Sequence, residues 1–233
     1  MSPQPTPSIV PIHLGIIPDG NRRWAKMHGK MTVSGHRKGL DVAKAMCYAS
    51  FQRGVKVLSM YSFSTENWNR AQEEVGYLME LFYSLVTDEL AELDRNNVRL
   101  CFLGSEDRVS DKLLKAIKAA ELKTRDNDGG ILALCLNYGG EQEIADAATK
   151  LIAGGHQGPV TPSDLAAHMY APDIPPVDLI IRTSGEHRTS GFMLWRAAYA
   201  EFFFTNKHWP DFTSDDLDAA FTDYAARQRR FGA

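Results

Sequence analysis

The sequence is poor in cysteine and has no apolar run long enough to cross a bilayer. Its three cysteines, Cys47, Cys101 and Cys135, are odd in number, far apart and flanked by apolar residues. This spacing argues against a C-x-x-C metal site and predicts buried thiols of a reduced, cytoplasmic protein. Residues 1 to 11 are rich in proline and lack the basic and apolar regions of a signal peptide, which predicts a short flexible leader.

Other absences exclude several familiar chemistries. Basic residues number 26 against 29 acidic ones, and the formal charge of −3 offers no broad basic surface for nucleic acid. Neither the phosphate loop G-x-x-x-x-G-K-[ST] nor the dinucleotide fingerprint G-x-G-x-x-G occurs, which argues against a P-loop NTPase and a Rossmann dehydrogenase. H-E-x-x-H and G-x-S-x-G are missing too, so zinc proteolysis and nucleophile-elbow hydrolysis have no support.

Short apolar runs of β-strand character alternate along the chain with longer segments of helical period. The predicted strands cover residues 12–17, 55–63, 98–104, 131–140 and 177–183. This alternation predicts one α/β domain over residues 12–233, with a central, mainly parallel β-sheet flanked by helices on both faces. In such sheets, ligands bind beyond the carboxyl ends of the strands. Polar loops that follow four predicted strands are therefore expected at one edge: PDGNRR, SFSTENWNR, NYGGE and RTSGEHRTSG.

The loop after the first strand combines a carboxylate with groups suited to phosphate. Gly20 permits a close backbone approach, and Asn21 tolerates unusual dihedral angles. The guanidinium groups of Arg22 and Arg23 match phosphate oxygens, and a helix beginning here would add its N-terminal amides. Asp19 suits such a site if a divalent cation bridges it to the phosphate. An ordinary Asp-Gly turn with solvated arginines is equally compatible with this motif alone.

A loop of similar composition follows the last predicted strand. It contains two glycines and two arginines, Arg182 and Arg188. Four hydroxyl residues complete it: Thr183, Ser184, Thr189 and Ser190. Glycines, hydroxyls and arginines seldom crowd so densely without an anion, although a solvated polar loop is the alternative. Two such loops are enough to hold two diphosphates.

Three further features have both a functional and a structural interpretation. The polar residues from Ser64 to Asn67, with Phe63 and Trp68 beside them, suit a substrate with an apolar body and an anionic head. The alternative is that these two aromatic side chains pack the core. Glu201 lies in the apolar run AAYAEFFFT, where a carboxylate must be paired or bound to metal; without other evidence a structural ion pair is favoured. His36 and His187 also have two interpretations. Each is either a partner of a phosphate or metal ion, or a histidine whose polar contacts lie within the protein.

Together these stretches resemble the cis-prenyltransferase family of the undecaprenyl diphosphate synthase type. The matching motifs, in the family's order, are IIPDGNRRWA, GHRKG, YSFSTENWNR, NYGG, VDLIIRTSGEHRTSGFMLW and AYAEFFFTNKHWPDF, and the resemblance spans about residues 13–232. It implies a Mg²⁺-dependent homodimer with a hydrophobic tunnel and no more than transient contact with the membrane surface, for product release. The implied reaction condenses isopentenyl diphosphate with an allylic prenyl diphosphate, farnesyl diphosphate by expectation, to give a Z-polyprenyl diphosphate such as the cell-wall lipid-carrier precursor undecaprenyl diphosphate.

The resemblance also implies roles for individual residues. Asp19 matches an aspartate that binds Mg²⁺ and helps the allylic diphosphate to leave. Asn67 matches the position often assigned as proton acceptor. The allylic diphosphate cradle and a neighbouring substrate contact are matched by Gly20, Asn21, Arg22, Arg23, His36 and Trp24. The loop that organises both substrates near the reacting carbons is matched by Ser64, Thr65, Glu66, Asn67, Trp68 and Arg70.

The remaining matches concern the second substrate, the metal and the partner subunit. The isopentenyl diphosphate site is matched by Arg182, Arg188 and Ser190, with Thr189 between them. Glu201, with His187 nearby, matches a metal position. The ending RFG, residues 230–232, matches an R-x-G sequence that in relatives reaches the partner subunit's active site.

The chain departs from the family pattern at four positions. Thr32 stands where arginine is frequent, and Lys30 or Arg37 would have to supply its diphosphate contact. Ser184 and Arg22 replace common glycines. The fourth departure is Glu141, which follows NYGG where arginine is usual. These changes leave the product length and the details of the cradle open.

Three alternatives follow from the same resemblance. The chain is either a long-chain synthase, a short-chain synthase of C10 to C20 products or of irregular ones, or a non-catalytic partner subunit. A trans-prenyltransferase is not supported, because no D-D-x-x-D motif occurs. Tunnel length should separate the first two. We expect Leu78, Leu81, Phe82 and Leu85 to line its wall. Ile131 and Leu134 are expected to form its floor, with Ile131 or its neighbours limiting the product.

Overall fold

A computed structural model of the protein describes residues 9 to 227 and contains a six-stranded sheet. Its strands are β1 (His13–Ile17), β2 (Val57–Ser64), β3 (Val98–Leu103), β4 (Gly130–Tyr138), β5 (Leu179–Arg182) and β6 (Glu201–Phe204). The order is β3-β4-β2-β1-β5-β6, and every neighbouring pair is parallel. The predicted α/β domain with a parallel sheet is confirmed. The RFG ending falls outside the described residues, as do the first eight residues of the leader.

Residues 9–227 form eight α-helices and two 3-10 helices. The α-helices are α1 (Asn21–Met27), α2 (Thr32–Gln52), α3 (Gln72–Thr87), α4 (Leu90–Arg95), α5 (Asp111–Thr124), α6 (Gly140–Ala153), α7 (Pro162–Ala166) and α8 (Ser214–Ala226). The 3-10 helices are Thr65–Asn69 and Trp209–Asp211. None of the helices in this part of the chain is both long enough and apolar enough to traverse a bilayer.

The two faces of the sheet are covered differently. Along β2, Leu58 and Met60 point into a core shared with α2, α3, α5 and α8, whereas Val57 and Tyr61 point to the other face. That other face is packed by residues 170–177 and 192–200, which include the fully buried Phe192. Because the central strands are apolar on both faces, polar side chains accumulate in the loops at the strand ends.

The three cysteines are buried free thiols, as expected. Burial raises the pKa of both Cys47 and Cys101 to about 12, and it raises that of Cys135 as well. All three are therefore protonated, unreactive residues of the core.

Candidate active site

The polar loops expected at one edge of the sheet lie together there. Strands β2, β1 and β5 are parallel neighbours, so the loops that follow them share the carboxyl edge. These loops and α2 line a cavity of about 1000 Å³. The predicted site residues that line it are Asp19, Gly20, Asn21, Arg22, Arg23, His36, Ser64, Asn67, Arg70, Arg182 and Ser190. The fourth loop, NYGGE, reaches the same edge but packs against the 191 region through the hydrogen bond from the Gly140 amide to the Gly191 carbonyl (2.8 Å).

Asp19 lies between two guanidinium groups at this edge. Its Oδ2 accepts a hydrogen bond from Arg182 Nη2 at 3.0 Å, and its Oδ1 is 3.1 Å from Arg23 Nη2. Its main-chain carbonyl accepts bonds from the Thr183 hydroxyl at 2.7 Å and the Trp209 amide at 3.0 Å. Asp19 is thus held by α1, by the end of β5 and by the start of the 3-10 helix Trp209–Asp211, while its side chain stays 29% exposed. A fixed anion beside two cations is suited to binding a further ligand that carries both a phosphate and a metal ion.

Arg182 is prepared to bind an anion. The residue is 4% exposed, and its Nη1 donates to Ser190 Oγ at 2.9 Å and to the Arg188 carbonyl at 2.5 Å. Its Nε is buried without a hydrogen-bond partner. An unpaired buried donor costs on the order of 1–3 kcal/mol, so this N–H favours an added acceptor. The Tyr61 hydroxyl donates to the Ser190 carbonyl at 3.0 Å and holds the loop in place.

Glu74, in the first turn of α3, organises three basic side chains and was not singled out in the sequence. Its Oε1 accepts from His36 Nε2 at 3.0 Å and from Arg70 Nη1 at 3.2 Å, and its Oε2 is 3.9 Å from Arg22 Nε. Burial lowers the pKa of His36, and the nearby Glu74 only partly opposes this effect. His36 is therefore neutral at neutral pH and carries its Nε2 proton toward the carboxylate.

The loop after β2 divides between cavity and core. Ser64 and Asn67 line the cavity, and the Ser64 amide donates to Asn67 Oδ1 at 3.3 Å. Phe63 is buried and packs edge-on against Trp68, with ring centroids 5.1 Å apart, while Trp68 Nε1 donates to Asn137 Oδ1 at 2.7 Å. The structural interpretation therefore applies to the two aromatic rings, and of the polar residues between them only Ser64 and Asn67 face the cavity.

Eight predicted site residues do not line the cavity: Trp24, Thr65, Glu66, Trp68, His187, Arg188, Thr189 and Glu201. Trp24 Nε1 donates to Asp211 Oδ1 at 2.7 Å, so this ring packs beneath the loop. Arg188 pairs at 2.5 Å with Glu186, whose other carboxylate oxygen accepts from Arg23 at 3.0 Å. Glu186 is a second organising carboxylate that sequence reasoning missed.

Within one chain, Glu201 is not brought to Asp19, and His187 does not line the cavity. Glu201 begins β6 in register with Leu179, which pairs with Leu14 at the start of β1. Three residues at about 3.3 Å each place it about 10 Å below the carboxyl edge. Its carboxylate forms a 2.8 Å ion pair with Arg227, the structural pairing favoured by the sequence, although the residue is only half-buried. The His187 ring stacks on Phe204 with centroids 4.8 Å apart.

The cavity continues into an apolar pocket of about 60 Å³, and the two spaces share the lining residues Leu40, Ala43, Met60, Ser62 and Phe82. Leu78 and Leu81 line the main space, and Leu85 and Leu134 line the small one, as expected. The expectation for Ile131 is wrong. Residues three apart on a strand face opposite sides, and Ile131 packs against the core on the other face of the sheet.

The departures from the family pattern have distinct outcomes. Lys30 and Thr32 both line the cavity, whereas Arg37 is exposed and does not. Lys30 is therefore the cation placed to replace the missing arginine. Glu141 is exposed in the first turn of α6, where its charge suits the helix terminus.

Comparison with known proteins agrees with this geometry. The prenyltransferase family model described as undecaprenyl diphosphate synthase matches residues 17–232. The ditrans,polycis-undecaprenyl-diphosphate synthase ((2E,6E)-farnesyl-diphosphate specific) of Pseudomonas putida is 45% identical over 231 residues, which are 97% of this chain and 92% of that protein. Isoprenyl transferase 2 of Bradyrhizobium diazoefficiens is 43% identical over 233 residues, with 98% and 92% covered.

Solved structures show the same relationship. Lavandulyl diphosphate synthase from Lavandula x intermedia, in complex with dimethylallyl diphosphate, superimposes with a TM-score of 0.91 at 33% identity, covering 96% of this chain and 99% of that one. A probable undecaprenyl diphosphate synthase from Campylobacter jejuni gives 0.81 at 28% identity with the same coverage. The chain therefore belongs to the undecaprenyl diphosphate synthase family and is a cis-prenyltransferase.

Proposed function

We propose that this prenyltransferase extends farnesyl diphosphate with isopentenyl diphosphate to a Z-polyprenyl diphosphate such as undecaprenyl diphosphate. The observation that carries the proposal is Asp19, held between Arg182 and Arg23 at the mouth of a cavity of about 1000 Å³ that continues into an apolar pocket. A polar, cationic mouth and an apolar interior match a substrate with a diphosphate head and an isoprenoid body. The farnesyl specificity in the names of the relatives supports the choice of primer.

The proposed chemistry needs no protein nucleophile. Breaking the allylic C1–O bond leaves the electron pair on the departing diphosphate, and the preplaced guanidinium groups of Arg22 and Arg23 stabilise that charge. The double bond of isopentenyl diphosphate, held at Arg182 and Ser190, then forms the new bond from its C4 to the allylic C1. Loss of one C2 proton restores a double bond and completes the addition.

Asn67 is proposed to help the proton depart. Its Oδ1 accepts one bond from the Ser64 amide and keeps a second lone pair, and the residue lines the cavity. An amide oxygen is a far weaker base than diphosphate, so Asn67 would orient or relay the proton rather than keep it.

The donor set fits Mg²⁺, the proposed cofactor. Asp19 offers one carboxylate in the cavity, and residues 9–227 contain no cluster of three or more His, Cys, Asp or Glu side chains that would form an all-protein cage. Mg²⁺ commonly uses one or two carboxylates together with substrate phosphate oxygens, so Asp19 is the residue that would hold it. When bound, the cation neutralises negative charge that develops on the leaving group.

A homodimer is the proposed assembly. β6 is an edge strand, and Leu194 and Tyr199, which precede it, are exposed by 36% and 71%. An accessible strand edge beside apolar side chains favours pairing with a second copy. Because Glu201 and Asp19 lie at opposite ends of the sheet in one chain, a metal role for Glu201 would have to act across that dimer. Sedimentation should show a dimer, and a fully active monomer would contradict it.

The proposed location is the cytoplasm, with transient membrane contact when the product leaves. The three buried free thiols support a reducing compartment. Lys26, Lys30 and the exposed Met31 line the cavity, and the exposed Met27 follows Lys26 at the end of α1, a combination suited to an anionic lipid surface. Co-sedimentation with phosphatidylglycerol vesicles should occur after product formation, and equal binding to phosphatidylcholine vesicles would count against it.

A short-chain or irregular synthase is the second candidate. The superposition on lavandulyl diphosphate synthase, with a TM-score of 0.91, favours keeping it open. The non-catalytic alternative has less support, because Asp19, Asn67 and Arg182 all line the cavity.

The deciding experiment incubates the protein with Mg²⁺, labelled isopentenyl diphosphate and, separately, dimethylallyl, geranyl and farnesyl diphosphates. Mass analysis of the products should show a ladder from farnesyl diphosphate that ends near C55. A ladder that stops at C10 to C20 would favour the second candidate. No product from any primer would favour the non-catalytic partner subunit.

A further inference from the structure

Ser184 adopts a backbone conformation that is unusual for its residue type. Its φ of +77° lies in the left-handed region, which glycine enters freely and other residues rarely occupy. Strain of this kind persists where the surrounding structure holds it, and it concentrates near functional sites. The contacts of the Ser184 side chain should therefore explain why a residue other than glycine is tolerated here.

Those contacts link three elements. Ser184 Oγ is 2.5 Å from His208 Nδ1, and His208 Nε2 is 3.2 Å from Met27 Sδ. A thioether can only accept, so in the neutral ring Nε2 carries the proton and Nδ1 accepts from the Ser184 hydroxyl. The hydrogen bonds thus run from the loop after β5, through the loop after β6, to α1.

This chain of bonds lies directly against the turn that presents Asp19. A Cβ placed on Gly20 would come within 2.5 Å of Ser184 Oγ and 2.8 Å of His208 Nδ1, so the two side chains touch the Gly20 backbone. The Ser184 carbonyl accepts from Arg23 Nη1 at 3.1 Å, and its amide donates to the Lys207 carbonyl at 2.8 Å. Displacing Ser184 would therefore shift both Gly20 and Arg23.

We propose that the Ser184–His208 hydrogen bond is a positioning pair that fixes the Gly20 turn, and with it the cradle for the allylic diphosphate. Neither residue lines the cavity, so the pair acts through Gly20 and Arg23 rather than by touching substrate. The inference rests on the proposed function, which assigns this cradle to the allylic substrate. The isopentenyl diphosphate side is held separately, because Tyr61 fastens Ser190.

The test measures KM for each substrate in His208→Ala, Ser184→Ala, the double variant and His208→Asn. Loss of one hydrogen bond should raise KM for the allylic diphosphate about three- to tenfold and leave that for isopentenyl diphosphate unchanged. The KM of the double variant for the allylic diphosphate should be no higher than that of either single variant, because both substitutions remove the same hydrogen bond. His208→Asn, which keeps a polar atom near the Nδ1 position, should restore most of the affinity.

His168→Ala is the matched control, since His168 is also half-buried and bonds the Asp164 carbonyl, and neither residue lines the cavity. Unchanged allylic KM in the alanine variants would overturn the inference. So would an equal rise for both substrates that tracks a fall in the unfolding midpoint, which would indicate a purely structural role.

A separate binding measurement distinguishes failure of the inference from failure of the proposed function. Calorimetry with inorganic diphosphate needs no turnover, and wild type should bind it more tightly than His208→Ala. If the wild type makes no product but this difference remains, the proposed function fails and the positioning pair stands. Equal affinities in wild type and variant overturn the pair even if the enzyme is active.

Discussion

Asp19 is the residue on which the proposed reaction depends most. An Asp19→Asn variant keeps the side-chain shape and removes the charge that sits between Arg182 and Arg23. Loss of one preorganised electrostatic group in an active site typically lowers kcat about 10²- to 10³-fold, and we expect that range here. Steady-state assays with saturating substrates test it, with Asp126→Asn as the control because the Asp126 side chain is 86% exposed. Activity within threefold of wild type would contradict the role given to Asp19.

His13 gives the fold a pH dependence of its own. The ring is fully buried, donates from Nδ1 to the Pro175 carbonyl at 2.7 Å and accepts at Nε2 from the Ser59 hydroxyl at 2.7 Å. Burial lowers the pKa of His13 from 6.5 to about 4. The unfolded chain therefore takes up a proton that the folded protein resists. The neutral, buried form of His13 therefore contributes to stability in full above pH 6.5, and this contribution is lost as the pH falls toward 4.

Urea unfolding at pH 7.5 and pH 4 measures this effect. Wild type should lose about 3 kcal/mol more of its free energy of unfolding across this range than a His13→Asn variant. If wild type and His13→Asn show the same pH dependence of the free energy of unfolding, burial of His13 is not the source of that dependence.

At the scale of single residues, the residues of the polar motifs could be predicted from the sequence. The carboxylates that hold the basic side chains of those motifs in place could not. Asp19 and Arg182 belong to short polar loops after apolar strands, and that pattern is visible in the sequence. Glu74 and Glu186 were missed because an acidic residue in a first helical turn or a polar loop is ordinary. Their roles depend on long-range contacts that the sequence does not show, such as the hydrogen bond from Arg23 to Glu186, two residues 163 positions apart.

Strand β4 carries the clearest prediction for an element. Leu134 lines the small apolar pocket, while Ile131 faces the other side of the sheet. Leu134→Ala enlarges the pocket and should shift products toward longer chains by at least one isoprene unit, as read by mass spectrometry. Ile131→Ala, the matched control on the same strand, should leave the distribution unchanged. Longer products from Ile131→Ala, with no change for Leu134→Ala, would place the tunnel floor on the opposite face of the sheet.

Helix α6 is tied to the segment before β6 by a buried ion pair. Glu143 is 1% and Arg196 5% exposed, and their side chains meet at 2.5 Å. Glu143 Oε2 also accepts from the Tyr138 hydroxyl. Glu143→Ala leaves Arg196 buried without its partner and should lower the free energy of unfolding by about 3 to 5 kcal/mol.

Glu141→Ala provides the control, because Glu141 lies in the same helical turn but is exposed. It should change the free energy of unfolding by less than about 0.5 kcal/mol in the same denaturation assay. Similar losses in both variants would mean that the buried pair contributes nothing particular to stability.

At the scale of elements, periodicity predicted the first five strands and missed the sixth. β6 is a four-residue edge strand, EFFF, and the apolar run AAYAEFFFT that contains it shows no period-two alternation to mark a strand. Residues 73–97 show one continuous helical period, which predicts a single helix, but the structure divides them into α3 and α4 with a break at residues 88 and 89. Local pattern does not report where a helix changes direction.

For the whole molecule, alternation of strands and helices was enough to predict a parallel sheet with polar loops gathered at its carboxyl edge. The strand order was beyond the sequence, since it depends on which distant strands pair. It matters because β2 and β5 flank β1 and bring their three loops to one cavity. Strand pairing also explains the positions of Glu201 and Asp19. The family resemblance assigns both residues to metal binding, but they lie apart in the single chain.

The double-bond geometry of the product tests the central claim most directly. Wild-type protein with Mg²⁺, farnesyl diphosphate and carbon-13-labelled isopentenyl diphosphate should give a chain whose newly formed double bonds are all cis by carbon-13 NMR. Substitution of Asp19 by Asn should suppress that product. Trans double bonds in the added units, or elongation that proceeds equally well without the Asp19 carboxylate, would contradict the account.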